Sequence, residues 1–238
     1  MIRRPPRSTL DRSSAASDVY KRQTLDGGEA GCLEEETFSA DAATITVNGV
    51  IAHPGNGKNK LVNAIKIAGE ILETLPKTEW SPETTEKMQG FVHPVSVNGI
   101  SEKASISFIV RDFDTETLAR HHARLKKIAE EVVAKHKGAT LQYLSHEQYR
   151  NMKDVLKEHP QVVEYAMEAI KRSGLEVKME SIRGGTDGSK LSFLGMPCPN
   201  IFTGMQNIHS KLEWVSVKDM AKAAETLVHL AQVWEEKN

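Results

Sequence analysis

A mixed α/β protein, in which a ferredoxin-like domain is inserted into a second and incomplete α/β domain, is what this sequence predicts. Three observations carry that expectation. Between residues 39 and 147 the patterns run strand, helix, strand, strand, helix, strand, the order of a split βαβ unit. In the middle of that run Asn98-Gly99 separates two alternating segments, a strong hairpin signal. From residue 148 onward a second α/β pattern begins. With Thr24–Glu29 it offers only about three strands, where open sheets usually have about five or six.

The elements follow in order. Thr24-Leu25-Asp26-Gly27-Gly28-Glu29 reads as a strand end entering a glycine turn, with the carboxylates of Asp26 and Glu29 at the terminus. Ala43–Val47 alternates as a strand, and His53-Pro54-Gly55 opens a loop. Leu61, Ile65, Ala68, Ile71, Leu72 and Leu75 recur at helical spacing until Pro76. Phe91–Val97 and Ala104–Arg111 form the hairpin strands. Thr115 then caps a long helix whose core face is Leu118, Leu125, Ile128, Ala129, Val132 and Val133, and Thr140–Leu144 is the closing strand.

The second pattern starts with a helix presenting Val162, Tyr165, Ala166, Ala169 and Ile170, stopped by Gly174, and a strand at Glu176–Met179. Arg183-Gly184-Gly185-Thr186-Asp187-Gly188 is a glycine turn that lets a ligand approach the main chain. It lacks the Gly-Lys-Ser/Thr of a phosphate loop. After Pro197 and Pro199 a short strand, Asn200–Thr203, empties into a polar loop carrying Asn207, His209 and Glu213. Val217–Trp234 is a last helix with Met220, Ala224, Leu227, Val228, Ala231 and Trp234 on its apolar side.

Composition narrows the function classes. A net charge of −1 and 5% aromatic residues supply neither the basic field nor the stacking surface of a nucleic-acid binder. No apolar run reaches the roughly 20 residues of a membrane helix. Cys32 and Cys198 share no metal or redox spacing, which fits a reducing, cytoplasmic setting. Residues 1–23, rich in Arg and Ser and without periodicity, are expected to be a disordered, non-native leader. They resemble the translated read-through of a sequencing adapter, and Asp11 and Asp18 weaken the rival reading as a transit peptide.

Five motifs occur in one order: D-G-G-E at Asp26, H-P-G at His53, R-D-F-D at Arg111, I-R-G-G-T-D-G at Ile182, and C-P-N-I-F-T-G at Cys198. Taken together, from Thr24 to the end of the chain, they resemble the tripeptide aminopeptidases of the two-zinc exopeptidase family. The resemblance implies a partial zinc-exopeptidase catalytic domain (residues 24–38 and 148–238) around a lid and dimerisation domain (residues 39–147). In that family two zinc ions, roughly 3.5–4 Å apart, acidify a shared water and polarise the scissile carbonyl. By position, Asp26 is then a ligand of one zinc and His209 of the other, donor types that suit zinc. His53 becomes the donor that stabilises the developing oxyanion. Arg111 and Arg183 receive the peptide carboxylate, and Gly184, Gly185, Thr186 and Asn207 contact substrate.

Plainer rivals are a solvated turn for Asp26, a loop histidine before a proline for His53, a structural or surface histidine for His209, and a helix-capping or surface ion pair of Arg111 with Asp112 or Asp114. The sequence also departs from the family, with Ser210 after the metal histidine and Leu212 where a second histidine is usual. No H-x-D, bridging aspartate motif or acidic dyad occurs in the expected context, so the general base is expected to lie outside this chain. The runs Glu34–Glu36 and Glu130-Glu131 read as solvated charge. The implied function is hydrolysis of the N-terminal residue from tripeptides, by a chain that is inactive alone and able to form a homodimer through its lid domain. A related dipeptidase or acyl-amino-acid hydrolase, or a non-catalytic dimerisation module, are the alternatives.

Overall fold

The computed structural model describes residues 23–237, so nearly all of the expected leader lies outside the described residues. In chain order the elements are β1 (Thr24–Gly27), β2 (Cys32–Thr37), β3 (Ser39–Asn48), a 3-10 turn (Pro54–Asn56), α1 (Ala64–Thr74), β4 (Phe91–Gly99), β5 (Lys103–Asp112), α2 (Thr115–Val133) and β6 (Thr140–Tyr149). Then come α3 (Lys153–Leu156), α4 (Pro160–Arg172), β7 (Lys178–Ile182), α5 (Asp187–Phe193), β8 (Asn200–Phe202), β9 (Met205–Gln206), β10 (Trp214–Val215) and α6 (Val217–Lys237). Two compact units emerge, one of residues 37–151 with 182–185, the other of the remaining described residues.

In the first unit the sheet order is β4-β5-β3-β6, antiparallel throughout. Strand alternation sends Ala43, Ile45 and Val47 of β3 and Ala104, Ile106, Phe108 and Val110 of β5 to one face. There they meet Ala64, Ile67, Ala68 and Ile71 of α1 and Leu118, Leu125, Ala129 and Val132 of α2. Each large side chain buried here contributes about 1.5–3 kcal/mol.

Three expectations are corrected in this unit. Asn63, not Leu61, opens α1: its side chain accepts from Ile65 N and Lys66 N, which turns Ile67 inward and leaves Ile65 46% exposed. Asp114, not Thr115, caps α2, because its carboxylate accepts from Thr117 N at 2.7 Å. The hairpin forms, but Asn98-Gly99 lies inside β4 and the turn falls at Ser101-Glu102, closed by Ile100 N→Lys103 O at 2.8 Å. Tertiary bonds hold the turn there, with Gly49 N donating to Glu102 O and Ala64 N to Ser101 O.

In the second unit a four-stranded sheet runs β1-β8-β2-β7, with β1 parallel to β8 and β2 antiparallel to it. Helices α4 and α6 pack together, with Val162, Ala166 and Ile170 buried on one and Leu230, Val233 and Trp234 buried on the other. Tyr165 and Trp234 meet edge to face at 4.7 Å.

Of the apolar side expected for α6, Trp234 is buried as expected and Leu227 partly so, but the rest is corrected. Its buried residues are Ala223, Thr226, Leu230, Val233 and Trp234, whereas Met220 and Val228 are more than half exposed and Ala224 and Ala231 also face out. The helix carries two apolar stripes, and Thr226 settles which one turns inward. Its hydroxyl donates to Lys222 O at 2.9 Å and meets Ser173 Oγ at 2.8 Å, so a polar residue sits in the core at little cost. Among the described residues no helix is long and apolar enough to cross a membrane.

Candidate functional site

Asp26, Thr186, Asn207 and His209 belong to the second unit; His53, Arg111, Arg183, Gly184 and Gly185 belong to the first. The carboxyl ends of the parallel neighbours β1 and β8 share one edge, with Gly27 opposite Phe202. That is the edge where ligands bind in α/β sheets. Leu25 pairs with Ile201 and Gly27 with Phe202, so Asp26 is an extra, bulged residue. A bulge re-aims its side chain out of the ladder, and Asp26 is exposed. Gly27 has no room for a side chain, since a Cβ would lie 3.0 Å from Ile201 O. The turn is fastened by Thr203 N and Oγ1, both donating to Gly27 O, and by Gly204 N donating to Gly28 O at 2.8 Å.

From Gly204 the chain enters the β9–β10 hairpin, whose loop carries Asn207 and His209. Both are left-handed, with φ of 53° and 62°, a conformation that Asn and His adopt more readily than most residues. His209 N donates to Glu213 Oε2 at 2.7 Å and Leu212 N to Ser210 Oγ at 3.0 Å. Ser210, a departure from the family pattern, thus helps shape the loop. His209 is exposed.

Glu34 is the residue that pattern reading missed. It lies on β2 beside β8, only 8% exposed, and its Oε2 accepts from Asn200 Nδ2 at 3.2 Å. Asn200 Oδ1 in turn accepts from Thr24 Oγ1, and Gly28 N–H also reaches the Glu34 carboxylate. Burial, with smaller additions from the nearby charges of Glu180 and Asp26, pushes Glu34 up to about 6 despite those two hydrogen bonds. Reading Glu34–Glu36 as solvated charge is therefore corrected. The available signal was position: the acidic run lies between Cys32-Leu33 and Phe38, all fully buried, on an interior strand. Glu36 is also largely covered, bonded to Lys153 Nζ and Ser181 Oγ.

Thr186 caps α5, its hydroxyl accepting from Ser189 N in a reciprocal capping box. Gly188 follows, where a Cβ would lie 2.4 Å from Cys198 O. Both cysteines are buried, and burial drives the Cys32 thiol up to about 12, so it is not a reactive thiolate.

In the first unit His53 is the N-cap of the 3-10 turn, its Nδ1 accepting from Gly55 N at 3.2 Å. Arg111 turns to the sheet face opposite the helices. Nη1 donates to Asp41 O and Val110 O, Nη2 to Gln148 Oε1, and the guanidinium lies 5.5 Å from the Tyr149 ring centroid. The rival ion pair with Asp112 or Asp114 does not form. Asp112 faces the helix side, bonded to His121, and Asp114 caps α2. Arg183 Nη1 donates to Lys87 O and Gln89 O at 2.8 Å each, and Nη2 to Thr85 Oγ1, while the group stacks over Phe38 and Phe91. It fastens the 85–89 loop. A Cβ on Gly184 would meet only Ile182 Cγ2, at 3.9 Å, whereas one on Gly185 would enter the Tyr149 ring at 2.3 Å.

Two polar relays beneath α2 also escaped sequence reading. Trp80 Nε1 donates to His121 Nδ1 at 2.7 Å, and His121 Nε2 meets Asp112 Oδ2 at 2.9 Å. His122 links Tyr143 OH to Asp41, which also receives Arg150 Nη1 at 2.6 Å. These groups satisfy one another inside the core and hold α2 on the sheet.

Carboxylate and imidazole are suitable zinc donors, but the described residues do not complete a zinc site. Among them no group of three or more His, Cys, Asp or Glu is gathered to hold a metal.

Residues 36–137 match the family described as the peptidase dimerisation domain. The chain is 44% identical over 214 residues to Peptidase T of Bacillus velezensis, an alignment covering 90% of this chain and 52% of that protein. A tripeptidase from Staphylococcus aureus superposes with a TM-score of 0.72 at 18% identity, covering 87% of this chain and 54% of the other. The YXEP protein of Bacillus subtilis, described as a dinuclear metal binding peptidase of the M20 family, superposes with a TM-score of 0.62 at 20% identity, covering 91% and 56%. At these identities the structural matches establish the shared fold. The chain spans about half the length of the curated relatives it matches.

Proposed function

We propose that this chain, 44% identical to Peptidase T of Bacillus velezensis over nine-tenths of its own length, is the C-terminal portion of a zinc-dependent, cytoplasmic aminotripeptidase. The observation that supports this most is the bulge at Asp26. It turns a carboxylate out of the ladder at the carboxyl end of β1, next to the strand that leads into the His209 loop, and such ends are where ligands bind in α/β sheets. Asp26 and His209 would each hold one of two zinc ions, which when bound supply an acidified water and a polarised carbonyl. The remaining ligands and the general base would come from the part of the relatives that this chain does not span.

The other roles follow residue by residue. His53 stabilises the carbonyl oxygen of the peptide as it gains charge, a contribution of about 3–4 kcal/mol for such donors. Arg111 and Arg183 receive the peptide carboxylate with the N–H groups left over from their main-chain bonds. Gly184, Gly185, Thr186 and Asn207 line the substrate. The dimerisation domain supports a homodimer formed through residues 36–137.

The proposal expects no tripeptide hydrolysis by the purified chain with added zinc. Co-expression with the N-terminal half of a Peptidase T relative should restore turnover, and His209→Ala should abolish it. Turnover by the chain alone, above its His209→Ala control, would refute the incomplete-site reading. Restored turnover that survives His209→Ala would refute the ligand assignment.

A further inference from the structure

The H-P-G run has a geometry that its sequence alone does not explain. His53 is extended, with φ −60° and ψ 126°, and its Nδ1 accepts the Gly55 N–H at 3.2 Å. A backbone N–H only donates, so Nδ1 must present its lone pair, and in a neutral imidazole the proton then sits on Nε2. Pro54 between them has no N–H to compete, and its fixed φ suits the first position of the turn. Glycine at 55 keeps the ring in place, because a Cβ there would lie 3.3 Å from both His53 Nδ1 and Cε1.

We propose that the Gly55 N–H is a positioning group that locks His53 in the Nε2–H tautomer, leaving Nε2–H as the one donor an exposed ring offers to a ligand. The lock rests on the geometry of the loop alone. That the ligand is the carbonyl oxygen of a peptide rests on the peptidase reading. For that reaction the consequence is specific: the oxyanion donor is Nε2, and the proline and glycine of the motif serve the histidine rather than the substrate.

The test is a two-bond 1H–15N correlation spectrum of the uniformly 15N-labelled full chain, at a pH where the ring is neutral. The His53 signals are identified by their loss in His53→Asn. The expected pattern is a single tautomer, with Nδ1 at the unprotonated position and Nε2 at the protonated one. Gly55→Pro removes the N–H, and both nitrogens should move toward each other as the ring samples both tautomers. Gly55→Ala, which keeps the N–H but crowds the ring, should give a smaller shift in the same direction and serves if the proline variant does not fold. Averaged nitrogens in the parent chain, or unchanged ones in the folded Gly55→Pro chain, would overturn the proposal. Failure of co-expression with the N-terminal half of a relative to restore zinc-dependent tripeptide turnover would end the peptidase reading and leave the tautomer result standing.

Discussion

Replacing Glu34 by glutamine should invert the chain's relative stability between acid and mildly alkaline pH. Burial raises the Glu34 carboxyl from 4.5 to about 6 in the folded chain. A carboxyl raised on folding contributes stability that is fully present below 4.5, declines as pH climbs through the window, and is gone above about 6. At about 1.4 kcal/mol for each tenfold change, the ionised group penalises the fold by about 2 kcal/mol above that window. Glutamine keeps the shape and removes the charge. It also has one acceptor oxygen to offer to Asn200 Nδ2 and Gly28 N, which forfeits a hydrogen bond worth about 1 kcal/mol.

The net expectation is that Glu34→Gln is about 1 kcal/mol more stable than the parent at pH 8 and about 1 kcal/mol less stable at pH 4. Urea unfolding of both chains at half-unit pH intervals measures it. Parallel pH profiles for the two proteins would refute the argument, because they would mean that Glu34 binds its proton equally well folded and unfolded.

Three further outcomes are expected. Phe108→Ala, at a residue 1% exposed under both helices, should cost about 3–5 kcal/mol in urea unfolding. Met220→Lys with Val228→Lys should leave stability within about 0.5 kcal/mol of the parent, since both side chains are more than half exposed, while light scattering should show less self-association. Substituting His209 by glycine should stabilise the chain by about 1 kcal/mol through relief of its φ of 62°, and abolish restored tripeptide turnover. A destabilised His209→Gly chain would mean that the ring packs rather than waits for a ligand.

Much of the fold was legible because its signals are local. The two-residue period of β3 and β5 and the helical period of α2 each lie within about 20 residues, and the order of those periods points to the ferredoxin-like arrangement. The motif-bearing loops were legible for the same reason, since Gly, Pro and Asn punctuate a chain wherever they stand. Turn positions and caps slipped by one to three residues. Asp114 and Thr115 are both good caps, and the hairpin turn is placed by bonds from Gly49 and Ala64, which precede it by roughly 40 to 50 residues.

By itself, then, the sequence determined the kinds of element, their order, and which loops carry the motifs. Tertiary structure alone decided that Glu34 is buried, because the Asn200 amide that receives it is 166 residues away. It decided which of two apolar stripes of α6 turns inward, through a hydroxyl pair between Ser173 and Thr226. It also decided that Asp26 stands out of its ladder, through a register break against β8. Periodicity records which residues share a face. Burial, register and charge depend on what packs against that face, and those partners are remote in the chain.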